Sequence, residues 1–164
     1  MTMRLCPETF PIITGLVPSA ASATGDTADA ICLKNCNGVL IIAQHSGTSD
    51  NDVTLTVHEG ATAAEAQAGT YAITTGAEFP IWVNTDVATS DALVRQTDAL
   101  TYVIDSDLGT NQMVVFYIPA SILTNSRDWI ACGFDAGHAS NFLCITYILD
   151  GGRYQQTTPP TAIA

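Results

Sequence analysis

The sequence predicts an all-β protein: an antiparallel β-sandwich or jelly-roll of about eight strands with one or two short helical turns. Three observations carry this expectation. Apolar residues either alternate with polar ones or run in short β-branched blocks, and the blocks recur every ten to fifteen residues or so. Glycine, asparagine and proline punctuate the intervals between them. No apolar period of 3.6 is sustained long enough for a helix that crosses over between parallel strands. Residues 1–29 are expected to form an N-terminal arm or loop, and residues 30–164 a single β-sandwich domain.

The elements follow in chain order. Residues 10–13, Phe-Pro-Ile-Ile, have the make-up of a short edge strand. Residues 15–29 are small and polar and include Pro18 and Gly25, which reads as an arm or loop, either disordered or ordered only against a neighbour. Residues 30–33 begin the first clear strand. Lys34-Asn35-Cys36-Asn37-Gly38 reads as a tight turn in which Asn37 and Gly38 supply the positive-φ positions of a hairpin. Val39-Leu40-Ile41-Ile42-Ala43 is a continuous apolar run, as expected of a strand covered on both faces. Residues 45–52 are polar and read as a loop.

From residue 52 to 58 the alternation is clean, with Val53, Leu55 and Val57 on one side and Thr54, Thr56 and His58 on the other. Thr62 and Glu65 have capping-box spacing, so one or two helical turns follow. Residues 79–83 form a short strand that Pro80 demotes toward an edge, with Trp82 opposite Ile81 and Val83. Residues 86–98 are polar and ambiguous. Residues 100–104 alternate again, and residues 112–118 make a strong strand. Pro119 pre-sets φ for a single helical turn through residues 121–123. Residues 129–134 and 142–149 are the last two long strands.

Composition narrows the class of function. A chain of 164 residues is long enough to bury a real core. Charged residues make up only 13%, against an ordinary share of about 25%. The deficit falls on cations: Arg4, Lys34, Arg95, Arg127 and Arg153 face sixteen acids, for a net charge of −11. Five scattered cations build no phosphate-binding patch, so nucleic acid is not an expected partner, and an anionic membrane surface is disfavoured for the same reason. No apolar run approaches the roughly 20 residues of a membrane span. The first residues lack the basic start and apolar core of a signal peptide, so folding in the cytoplasm is expected. Five cysteines without dense spacing read as reduced, mostly buried thiols. Low charge with many small residues hints at an assembled protein, because long charged side chains are depleted at interface cores.

Chemistry-bearing residues are few. Cys32 and Cys36 have half-site spacing for zinc, but the partners would be Cys132, His138 and Cys144, which are loosely spaced and lie largely in apolar strands. Core cysteines are the better reading, and no metal is expected. Ser49-Asp50-Asn51-Asp52 and Asp105-Ser106-Asp107 are acidic loops without the glycine and glutamate of an EF-hand, better read as solvated turns. His45 and His58 have no fixed catalytic partner. A nucleophile elbow and a phosphate-binding glycine loop are both missing, so no catalytic or cofactor residue is assigned. Glycoside hydrolysis needs only two carboxylates and stays open as the last choice. Trp82, Trp129 and the tyrosines form either a sugar-stacking face or, preferably, core and subunit contacts.

Three segments carry a resemblance. Leu33-Lys34-Asn35-Cys36-Asn37-Gly38-Val39-Leu40-Ile41-Ile42 is one, with Cys36 where the pattern has an aromatic residue. Val53-Thr54-Leu55-Thr56-Val57-His58-Glu59-Gly60-Ala61-Thr62 is the second, and residues 113–123 with the close Gly152-Arg153-Tyr154 are the third. Together, over about a third of the chain, they resemble the capsid cement or decoration proteins of tailed bacteriophages. The resemblance implies a β-sandwich or jelly-roll body, a homotrimer, and a seat on the exterior of a capsid shell against the major capsid protein, with no catalysis, nucleic acid or membrane. Arg127, Trp129, Arg153 and Tyr154 are the candidate interface residues. A tail, fibre or head–tail adaptor protein is the nearest alternative, and a carbohydrate-binding module is the alternative from another class.

Overall fold

The computed structural model describes residues 10–20, 26–47, 51–74, 76–108, 110–135 and 140–152. They hold the strands β1 (Ile12–Ala20), β2 (Asp26–Thr27), β3 (Ile31–Cys32), β4 (Cys36–Ser46), β5 (Val53–Gly60), β6 (Tyr71–Ala72) and β7 (Ile81–Asn84). These are followed by β8 (Val94–Arg95), β9 (Thr101–Ile104), β10 (Gln112–Pro119), β11 (Trp129–Phe134) and β12 (Phe142–Gly152). One helix, α1 (Ala63–Gln67), and two 3-10 turns, Ser106–Leu108 and Ala120–Ile122, complete the set. The fold is all-β, and every strand pairing is antiparallel. Sheet A runs β1-β12-β4-β10-β7-β8. Sheet B runs β2-β11-β5-β6, with β3 also on β11 and β9 also on β5. The strands exceed the expected number because β2, β3, β6 and β8 are two residues each, too short to leave a period in the sequence.

The core lies between the sheets. Val39, Ile41 and Ala43 of β4 enter it from sheet A, and Val53, Leu55 and Val57 of β5 from sheet B. Period-2 alternation sets this directly, because successive Cβ atoms point to opposite faces. Phe79 and Phe116 meet edge to face with centroids 5.4 Å apart. Thr62 caps α1 by accepting from the Glu65 N–H at 3.2 Å, and the Glu65 carboxylate accepts from the Ala61 N–H at 2.8 Å. A cap of this kind contributes about 1 kcal/mol. No helix among the described residues is long and apolar enough to cross a membrane.

Several elements differ from their sequence reading. Ile12–Ala20, most of it expected as arm, is the edge strand of sheet A and pairs with β12. Long-range burial decides this: Ile13 and Leu16 pack against the core, and Gly15 lies where a Cβ would sit 2.3 Å from the Tyr147 ring. Residues 1–9 and 21–25 of the expected arm lie outside the described residues. The Asn37-Gly38 hairpin does not form. The turn falls at Lys34 and Asn35, with Asn35 at φ 69°, and it joins β3 of sheet B to β4 of sheet A. Gly38 instead lies in β4, where the Ile118 carbonyl oxygen would be 2.6 Å from a Cβ. His45 and Ser46, expected in a loop, extend β4.

Pro80 does not put its strand at the edge. It stands just before β7, so the ladder loses no donor, and its carbonyl accepts from the Tyr117 N–H at 3.1 Å. β7 lies between β10 and β8, and β8 itself comes from the ambiguous stretch 86–98. The apolar run of β4 is not buried on both faces: Leu40 and Ile42 remain partly exposed and outside the core.

Candidate interaction surface

Arg127 and Trp129 are brought to one corner of sheet B. The inward alternation of β5 carries Glu59 to a position only 1% exposed. A tight turn, with Ser126 at φ 72° and the Arg127 N–H donating to the Thr124 carbonyl at 2.9 Å, delivers its partners. The Thr124 N–H donates to Glu59 Oε2 at 2.8 Å, the Thr124 hydroxyl donates to Oε1, and Arg127 Nη1 donates to Oε1 at 2.9 Å. Burial raises the Glu59 pKa, but these hydrogen bonds and the Arg127 charge outweigh it and hold the carboxyl below the usual range. The guanidinium lies 3.7 Å from the centroid of the Tyr71 ring. Trp129 pairs with Gly60 and packs, half-buried, against the small cluster of Ala30, Ala66 and Ala131. Both side chains are therefore engaged within the chain. Arg153 and Tyr154 lie outside the described residues.

At one end of the sandwich Asp52 meets the loop of Asp105 and Asp107, while Ser49 and Asp50 lie outside the described residues. Carboxylate oxygens of Asp52, Asp105 and Asp107 lie within 4.8 Å of one another, and all three residues are exposed. Asp52 Oδ1 accepts from the Ser106 N–H at 3.0 Å, and Asp105 Oδ1 from the Asp107 N–H at 3.1 Å. Buried polar groups lie beneath. Gln112 Nε2 donates to the Asp105 carbonyl at 2.5 Å, and Asn141 Nδ2 donates to the Asn51 carbonyl at 3.0 Å and to Ser106 Oγ at 3.2 Å. His45 Nε2 stands 3.4 Å from Ser106 Oγ. The arrangement ties two loops to the sheet end: the Asp52 carboxylate accepts across from the other loop, and that of Asp105 accepts from its own. Among the described residues Cys132 and Cys144 do not join Cys32 and Cys36 in one cluster: Cys132 is in the core and Cys144 is on the outward side of β12, while His138 lies outside the described residues.

The third feature is the outer face of sheet A. The register places Ile12, Ile148, Leu40 and Tyr117 in one outward row. The next row holds Thr14, Thr146, Ile42, Val115, Trp82 and Arg95, and a third holds Cys144, Gln44, Met113 and Asn84. Leu40, Ile42, Met113, Trp82 and Ile148 are partly exposed and take no part in the core cluster. Ile12 and Phe142, nearer the free edge, are 60% and 52% exposed. The helix α1 packs on β5 and β11 of the other sheet. An outward face of a half-buried antiparallel sheet is ordinarily polar, and this one is largely apolar.

Sequence reasoning had the signal for this face, the continuous run 39–43, but read it as burial on both sides. Trp82 does stand opposite the buried Ile81 and Val83, with the Arg95 guanidinium 5.0 Å from its ring centroid. Comparison with protein-family models, with curated proteins and with solved structures finds no match.

Proposed function

We propose that this protein is a virion structural protein of a tailed bacteriophage, a capsid cement or decoration protein that binds the outside of the shell and stabilises it without catalysis. The observation that carries the reading is the apolar outer face of sheet A on a chain of net charge −11. Such a surface suits coverage by protein and repels nucleic acid. The choice of a capsid rests on the resemblance of three segments, which fall on β4, β5 and β10, the central strands of the two sheets and a neighbour. A component that binds only the assembled shell stabilises it by mass action. The carbohydrate-binding alternative is weakened at its best platform, since Arg95 lies over the Trp82 ring where a sugar would stack.

The test is to add the purified protein to shells that lack it. Saturable occupancy and a higher disruption temperature are expected. Glycan binding by the isolated protein, with no shell binding, would transfer the assignment to the carbohydrate-binding class. Deletion of residues 1–29 is not a clean probe of attachment, because it removes β1 and β2 from the body.

A further inference from the structure

We propose that the outer face of sheet A is a self-association surface, on which a second copy of this chain packs sheet against sheet about a two-fold axis. This goes beyond the shell-binding reading and starts from the same face, so in a dimer closed by it a shell would be met by the chain's other surfaces. Size is the first support. Adjacent strands lie about 4.8 Å apart and successive outward residues about 6.8 Å apart. The rows from Ile12 to Phe142 across β1, β12, β4, β10 and β7 thus cover roughly 20 Å by 25 Å. Two such faces together exclude about 1,000 Å² from water, the lower bound for a specific interface.

Charge is the second support, and it selects the occupant. Elsewhere the chain is strongly acidic, with a net charge of −11, so two copies approaching by other surfaces bring like charges together. On the strands of this face the outward charged residues are Asp150 and Arg95. Asp150 accepts from the Tyr117 hydroxyl at 2.8 Å. Arg95 lies at the opposite edge, where its ion pair with Asp98 is exposed and weak. A two-fold axis along the strands lays the β8 edge of one copy over the β1–β12 side of the other, and the register keeps Arg95 on the row of Ile42 and Thr146, four residues along β12 from Asp150, so neither charge is set against its like. An apolar centre with no like charges opposed across it lets the face receive a second copy of itself. Aligned packing of two twisted sheets at about 10 Å is the expected geometry.

Sedimentation equilibrium of the full chain over a wide concentration range tests this, alongside Ile42→Asp and Ile42→Lys. The wild type is expected to be a dimer. Each variant places a charge at the centre of the face and should weaken association by at least about 100-fold. An equimolar mixture of the two variants should recover the dimer, which a misfolded chain could not do. Should either variant lose its sheet spectrum, Thr146→Arg, on the same row, repeats the test. A monomer at every concentration overturns the proposal, as does a dimer or trimer that these changes leave intact. Shell binding measured on the same samples separates the two readings. A dimer that ignores shells refutes only the cement assignment, and a monomer that binds them refutes only this one.

Discussion

The backbone N–H of Cys132 in sheet B donates to the phenol oxygen of Tyr147 in sheet A at 3.1 Å. The bond spans the core at the point where β11 changes partner from β3 to β2, which leaves that N–H without a strand neighbour. Tyr147 is fully buried, and burial drives its phenol pKa upward, so it remains a neutral acceptor. Tyr147→Phe keeps the ring and orphans the Cys132 N–H. A loss of about 1–3 kcal/mol is expected. Urea unfolding of the two proteins gives the answer, and an unchanged midpoint would show that the bond contributes nothing net.

Arg127→Leu should destabilise the isolated protein by about 3 kcal/mol, because it leaves the Glu59 carboxylate buried with only Thr124 as partner. If Arg127 serves a subunit contact alone, unfolding of the monomer will not change. The same carboxylate sets an acid limit. Its folded pKa is depressed below the ordinary value of 4.5, so its contribution is fully present above that value and lost as pH falls through the folded one. Melting temperatures from pH 6 to pH 3 should fall more steeply for the wild type than for Glu59→Gln.

A separate pH window belongs to the histidines. His45 and His58 each have a buried Nδ1 without a hydrogen-bond partner, and burial lowers both pKa values below 6.5. Below 6.5 the unfolded chain takes up protons that the folded one refuses, so stability falls as pH drops from about 7 toward the lowered folded pKa. The double change His45→Gln, His58→Gln should flatten the melting temperature between pH 7.5 and 5.5. An equal slope in both proteins would assign that window to other groups.

Thiol reactivity should divide by burial. Cys132 is fully buried and pushed up to about 12, so at pH 8 its thiolate fraction is about one in 10,000. Cys36 is raised by burial and then by Cys32 and Asp150. Iodoacetamide followed by peptide mass mapping should modify Cys32 in the native protein, modify Cys144 wherever the outer face of sheet A is uncovered, and reach Cys132 only on unfolding.

What the sequence disclosed follows from the range of the interactions involved. β5 and β11 were legible because alternation and apolar blocks are local, and α1 because a cap spans three residues. β1 was hidden: it carries Gly15 and Pro18 and has bulges, and its partner β12 lies at the other end of the chain. The corner of Arg127 was half legible, since its turn is local while Glu59 and Tyr71 are distant in sequence. The outer face of sheet A was written in residues 39–43 as two apolar sides, but a run of that kind carries no information about what lies on the second side.

The strand order of sheet A also dictates when this protein can fold. β4 is flanked by β12 and β10, both made much later, and β1 has only β12 to pair with. A ribosome adding about 5–20 residues per second leaves the Val39-Leu40-Ile41-Ile42-Ala43 segment without β10 for on the order of 4–15 s and without β12 for on the order of 5–20 s. The nascent chain therefore spends much of its synthesis with its stickiest segment bare on at least one edge, and sheet A can close only after translation of its last strand.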